Sequence, residues 1–307
     1  MHHDAEIVAP LSELGMGPAP DSVRFTYSRP EQPRMRRALI RAIEVMTGQM
    51  RLARLYRAWS RSPPPGETIF AAAVRLMNLR IDTDDDAWHR LPRQGGLLVV
   101  ANHPFGVVDG LVIGHLATRL RPDIKIMTHS LLCQPPEARD YLLPVDFGAG
   151  RAAQRTTLFT RRRAIDWLAS GRALVVFPGG SVSTSCHPLR GPAVDPAWHP
   201  FVGKLACLPG VTTVPVFFHG QNSRLFQIAS HVHYSLRIAL LFRESARRIG
   251  TGVKVSVGEP VPAEALSVSG NRKRTMQDLR SRTYRLAGPG GPDIASEFCW
   301  PSHIRWD

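Results

Sequence analysis

The sequence predicts an α/β fold: a mixed, mostly parallel sheet flanked by helices, preceded by a basic helical segment. Three observations predict it. Short apolar runs such as Leu97–Val100, Ala173–Phe177 and Thr212–Phe218 suit buried strands and are too short for helices. Stretches with apolar residues at helical spacing lie between them. Glycine and proline punctuate the junctions, as at Gly95-Gly96 and Pro178-Gly179-Gly180.

Residues 1–33 carry scattered proline and glycine without periodicity, which predicts a disordered arm. Residues 34–61 form a basic amphipathic segment. Arg34, Arg36, Arg37, Arg41, Arg51, Arg54, Arg57 and Arg61 stand against one acid, Glu44. Leu39, Ile43, Met46 and Met50 recur at helical spacing, with Leu55, Tyr56 and Trp59 behind them. Two readings fit this stripe: a helix lying in an anionic lipid interface, and a surface helix whose apolar face packs on the core. Ser62-Pro63-Pro64-Pro65-Gly66 is a break. A helix over about 67–80 follows, and Asp82–Asp86 reads as a solvated acidic loop. Residues 34–90 together form an N-terminal helical, membrane-associating segment.

The main domain spans 91–287. The strand at 97–101 leads to a helix over 108–120. Ile124–Met127 and Leu142–Val145 read as strands. Arg155–Ala169 is helical and ends at Gly171, a natural left-handed cap. Strands follow at Ala173–Phe177, Thr212–Phe218 and Val253–Val257. Pro215 inside its apolar run suggests an edge or a bulge, although a plain core strand is the simpler reading. The tail, 288–307, carries Trp300 and Trp306, as interfacial anchors or as packing on the body.

The formal net charge is +14, which implies an acidic partner. Nucleic acid is disfavoured: no helix-turn-helix, zinc or RNA-binding motif is present, and the 7% aromatic residues are not interleaved with the basic runs. The four cysteines, Cys133, Cys186, Cys207 and Cys299, are scattered without metal-type spacing, so no metal is expected. No apolar stretch approaches the roughly 18 residues of a membrane span. The beginning Met1-His2-His3-Asp4 has no signal-type apolar core. A reducing, cytosolic setting is expected.

Three segments can carry chemistry. Ala101-Asn102-His103-Pro104-Phe105-Gly106-Val107-Val108-Asp109-Gly110 puts a histidine at a strand exit and an aspartate at the next helix start. That end of the strands is where open α/β sheets hold their sites. An imidazole becomes a general base when a carboxylate holds its other nitrogen. The plain alternative has His103 bonded to the loop and Asp109 capping the helix. The turn Phe177-Pro178-Gly179-Gly180-Ser181-Val182-Ser183 offers backbone N–H groups to a phosphate or an oxyanion, or is an ordinary strand exit. It is not a nucleophile elbow, because both glycines precede Ser181. The third, Val214-Pro215-Val216-Phe217-Phe218-His219-Gly220, reads as core.

In this order the segments resemble the four blocks of the glycerolipid (lysophospholipid) acyltransferase family, over about residues 95–260. His103 and Asp109 match the first block, with one more residue between them than its commonest form. Pro144-Val145-Asp146-Phe147, with Arg151 and Arg155 beyond, stands at the second. Phe177-Pro178-Gly179-Gly180 resembles the third and Val214-Pro215-Val216 the fourth. The longer spacing and Gly220-Gln221-Asn222-Ser223-Arg224-Leu225-Phe226 look like the branch that acylates lyso-ornithine or related lipids.

The resemblance implies direct acyl transfer from an acyl thioester, acyl carrier protein or coenzyme A, to a lysolipid hydroxyl. His103 is then general base, Asp109 its orienting carboxylate, and the Gly179-Gly180 amides the oxyanion donors. Arg151 and Arg155 are candidates for a phosphate on either substrate, against a reading as solvated surface arginines. No cofactor is implied beyond the co-substrate. The implied setting is peripheral, on the cytoplasmic face of the inner membrane, and the basic surface suits an anionic bilayer or acidic acyl carrier protein. One departure stands out. The family's third block carries glutamate where this chain has Ser181, which leaves an inactive lipid-binding protein as a rival.

Overall fold

A computed structural model describes residues 26, 28, 33–46, 48–145, 150–267 and 271–304. Helices α1 (Arg34–Met46), α2 (Gln49–Ser60) and α3 (Ile69–Leu76) precede strand β1 (Arg80–Thr83) and the short α4 (Asp85–His89). Then come β2 (Gly96–Ala101), α5 (Val107–Leu120), β3 (Ile124–His129), β4 (Leu142–Val145), α6 (Arg151–Ala169) and β5 (Ala173–Val176). A hairpin, β6 (Thr184–His187) and β7 (Arg190–Val194), leads to α7 (Pro200–Ala206) and β8 (Val211–Phe218). The rest is α8 (Arg224–Val232), α9 (Tyr234–Arg247), β9 (Gly252–Val257), β10 (Val261–Pro262), α10 (Ala263–Ser267) and α11 (Arg272–Arg285).

The sheet runs β1-β9-β8-β2-β5-β3-β4, with β10 also on β8. Strands β8, β2, β5, β3 and β4 are parallel, and β9 and β10 run antiparallel to β8. This is the mixed, mostly parallel α/β sheet that the sequence predicts. Strand β2 is buried along its whole length because both faces are covered. Leu97, Val99 and Ala101 join Phe70, Val108, Val112 and Ile113 on one face. Leu98 and Val100 join Ala164, Leu168, Val202 and Leu279 on the other. A smaller cluster holds Ile40 of α1 against Phe226 and Phe242.

The fold corrects several expectations. The basic segment is two helices, not one. Gly48 between them has φ 112, and a Cβ there would lie 2.5 Å from the Ala246 Cβ of α9. Close packing forces the chain to turn at the one residue with neither a Cβ nor a left-handed penalty. The apolar stripe divides accordingly: Ile40, Ala53, Tyr56 and Trp59 are buried, whereas Met35 and Met46 are 87% and 85% exposed. Asp82–Asp86 is not a loop, since Asp82 lies in β1 and the Asp84 side chain caps α4 through the Ala87 N–H at 3.0 Å.

Pro215 is in an interior strand rather than at an edge or bulge. Its carbonyl accepts the Gly258 N–H at 2.8 Å, so its nitrogen faces the gap between β10 and β9. A missing donor costs no ladder bond there. In the tail, Phe298 is buried and Trp300 packs on it with ring centroids 5.0 Å apart. Trp306 and nearly all of the 1–33 arm lie outside the described residues. No described helix is long and apolar enough to cross a membrane.

Candidate active site

The site forms where β2 ends. Past its last ladder pair, Ala101↔Val216, the Asn102 side chain extends the sheet by one rung. Its Nδ2 donates to the Phe218 carbonyl at 3.0 Å and its Oδ1 accepts the Phe218 N–H at 2.6 Å. The carboxamide thereby locks the exit of β2 to β8, and the next residue, His103, leaves the sheet at a fixed point.

The chain then turns through Pro104 and Gly106. Gly106 has φ 73 and ψ −116, a region open essentially to glycine. The turn brings Asp109 back beneath it as the third residue of α5. Asp109 Oδ2 accepts the Phe105 and Gly106 N–H groups at 2.8 and 3.0 Å. The same oxygen lies 3.1 Å from His103 Nδ1. Asp109 thus closes the first turn of α5, and the oxygen that does so also faces the imidazole.

His103 is 19% exposed in its side chain and Asp109 is fully buried. Burial pushes the Asp109 carboxyl above its ordinary pKa, opposed by His103 and the two amides. With Nδ1 facing the carboxylate, a neutral ring presents the Nε2 lone pair, and Nε2 has no hydrogen bond among the described residues. The imidazole rests on the Phe177 ring, centroids 4.1 Å apart, which fixes its second face.

Asp195, a carboxylate without a signature in the sequence, holds the loop from behind. It is fully buried just after the β6–β7 hairpin. Its Oδ1 accepts the His103 N–H at 3.2 Å and the Ser183 hydroxyl at 2.5 Å. Its Oδ2 accepts the Trp198 indole at 2.9 Å. The Ser183 N–H in turn donates to the His103 carbonyl at 2.8 Å. The third block is thus tied to the first through Ser183 and Asp195, residues 12 apart in sequence with no local pattern between them.

Arg248 sits on the other side of the loop. Its guanidinium lies 3.7 Å from the Phe105 ring centroid and donates to the Gln221 carbonyl at 3.0 Å. Burial draws its pKa down, while the Asp109 and Glu244 charges draw it up. Phe105 is wedged between this cation and Gly220, where a Cβ would lie 2.9 Å from Phe105 Cζ at a φ of +108. Replacing Gly220 by alanine is expected to cost about 1–3 kcal/mol through strain and overpacking. Denaturant unfolding checks this, and an unchanged midpoint would mean that Phe105 yields freely.

The other sequence candidates divide. The Gly180 N–H donates to the Phe177 carbonyl at 3.0 Å, so it closes the turn and is engaged rather than open to an oxyanion. The Gly179 and Ser181 amides make no hydrogen bond with the described residues, and the Ser181 hydroxyl oxygen is buried without a partner. Gly179 packs closely: a Cβ there would meet the Asp195 Cβ at 3.1 Å. Arg155 is exposed on α6 and makes no hydrogen bond or ion pair with His103, Asp109 or the Phe177–Ser183 turn. The Arg151 side chain, Asp146 and Phe147 lie outside what is described.

Comparison with known proteins bears on the same span. A family model described as acyltransferase matches residues 39–289. Among curated proteins, a lyso-glycine lipid O-acyltransferase of Phocaeicola vulgatus is 20% identical over 228 residues, 72% of this chain and 78% of that protein. Among solved structures, the 1-acyl-sn-glycerophosphate (LPA) acyltransferase PlsC of Thermotoga maritima aligns with a TM-score of 0.43 at 17% identity, covering 81% of this chain and 86% of that one. The family match takes in β2, the His103–Asp109 turn, the third block and Arg248, and the chain belongs to the acyltransferase family.

Proposed function

We propose that this enzyme moves a fatty acyl group from an acyl thioester to a hydroxyl of a lysolipid. The observation that carries the reading is the His103 Nδ1–Asp109 Oδ2 contact of 3.1 Å, with Nε2 left open at the sheet's exit. His103 Nε2 takes the proton of the acceptor hydroxyl as its oxygen attacks the thioester carbonyl carbon. The buried Asp109 carboxylate stabilises the imidazolium that forms. The tetrahedral intermediate collapses, the C–S bond breaks, and the thiolate leaves with the proton from Nε2. The products are an ester and a free thiol. The Gly179 and Ser181 amides are the remaining candidates for the oxyanion, and Arg248 supplies positive charge beside the loop.

The acyl carrier is an acidic carrier protein or coenzyme A, and the enzyme works peripherally at the inner face of an anionic membrane. The positive charge favours all three partners. A neutral hydroxyl at Ser181 removes a fixed negative charge from the acceptor side of the site, so an anionic head group meets no carboxylate there.

The test is transfer from a labelled acyl thioester to lyso-ornithine lipid, lyso-glycine lipid and lysophosphatidate in parallel. Transfer to one of them is expected, and the preferred head group reads out the effect of Ser181. Lipid binding without transfer to any acceptor, from either carrier, would overturn the catalytic reading in favour of a lipid-binding protein.

A further inference from the structure

Helix α6 carries an exposed stripe of mixed character. Arg155, Leu158, Phe159 and Arg162 are all exposed, Leu158 by 59% and Phe159 by 42%. At the helical period these four fall within an arc of about 100°. A single exposed leucine needs no explanation. Two adjacent large apolar side chains between guanidinium groups form the mixed face of an interfacial helix.

The stripe is level with the site. The Thr160 hydroxyl donates to the Pro144 carbonyl at 2.5 Å. Pro144 pairs with Thr128, and Ile126 pairs with Val175. Continuing that register sets Thr128 beside Phe177, the ring under His103. From β2 to β4 is three strand spacings, about 14 Å.

The opposite face of the sheet has a counterpart. Gly48 packs on Ala246, two residues before Arg248, which covers Phe105. Met46 and Met50 on either side of Gly48 are 85% and 53% exposed, with Arg51 and Arg54 exposed beside them. Leu52 and Leu55 of α2 pack on the core face away from α6. Cationic and apolar side chains thus stand on both sides of the catalytic end of the sheet. A flat anionic surface meets both at once, and it has a use for open Leu158 and Phe159 that an acidic protein met by cations alone does not.

We propose that the Arg155–Arg162 stripe of α6 is a lipid-contact ridge that seats the His103 end of the sheet on an anionic bilayer. The proposal rests on the lysolipid acyltransferase reading: an acceptor hydroxyl then reaches Nε2 without its acyl chain leaving the membrane.

The test uses the full chain and phosphatidylglycerol–phosphatidylcholine vesicles with brominated acyl chains. Phe159→Trp is expected to add fluorescence that the brominated lipid quenches beyond the wild-type level. The double variant Leu158→Ser/Phe159→Ser is expected to partition about tenfold or more weakly, from the apolar area withdrawn from lipid. The same variant should keep wild-type acyl transfer to a detergent-dispersed lysolipid. Vesicle binding by Phe159→Trp without added quenching would overturn the ridge, as would wild-type partitioning of the double variant. Loss of carrier-protein binding with vesicle binding intact would assign the stripe to a protein instead. Absence of transfer by wild type in detergent would sink the enzyme reading alone, because the quenching result stands apart from it.

Discussion

Alanine at His103 is expected to lower kcat/KM for acyl transfer by about 10²–10⁴-fold without unfolding the protein. The ring's side-chain contacts are the Phe177 stack and the Asp109 carboxylate, and it is partly open to solvent. Asp109 separates two jobs that His103 does not have. Asparagine can offer one oxygen to the Phe105 and Gly106 N–H groups and so keep the cap, but it carries no charge to stabilise an imidazolium. Asp109→Asn should therefore approach the His103→Ala rate with a near-native unfolding midpoint. Asp109→Ala should lose the rate and also about 1–3 kcal/mol, because two buried N–H groups lose their acceptor. Steady-state kinetics and denaturant titration on the three variants check this. A fast Asp109→Asn enzyme would remove the carboxylate from the mechanism.

The pH dependence follows from the same burial. Asp109 in the folded chain holds its proton above the ordinary carboxyl range, and the unfolded chain does not. Stability from this group is then full below the unfolded pKa and falls as pH rises through the raised folded value. Asp109→Asn should flatten that part of the stability–pH curve.

Asp195→Ala is expected to be the most destabilising single change near the site, by about 3–5 kcal/mol. The alanine leaves the buried Ser183 hydroxyl and Trp198 indole, and the part-buried His103 N–H, without their acceptor. Asparagine is no rescue, because its NH₂ must face a donor on one side or the other. Urea unfolding of the two variants, read beside kcat, decides this. A loss under 1 kcal/mol in the alanine variant would mean that water reaches the vacated donors.

The sheet was legible wherever both faces of a strand are covered. Leu97–Val100, Ala173–Phe177 and Thr212–Phe218 read as strands because their residues are apolar throughout, apart from the β-branched Thr212 and Thr213. His103 and Asp109 were legible because a turn and a helix start joined them within one short segment. The β6–β7 hairpin was not, since His187, Arg190 and Pro192 face solvent and break any alternation. Gly48 was hidden inside an unbroken helical stripe, because the reason for its turn is Ala246, far along the chain. The places of Asp195 and Arg248 against the His103 loop were illegible for the same reason. Their partners are fixed by tertiary packing and leave no spacing to read.

The shared oxygen of Asp109 has a consequence for how this site can change. Its distance along the chain from His103 is set by the turn it closes, since the carboxylate must fall at the third position of α5 to meet the Phe105 and Gly106 amides. A deletion or insertion between Pro104 and Val108 is expected to displace together the cap and the carboxylate that faces the imidazole. The approach of Asp109 to His103 and the first turn of α5 therefore stand or fall together, because one oxygen serves both.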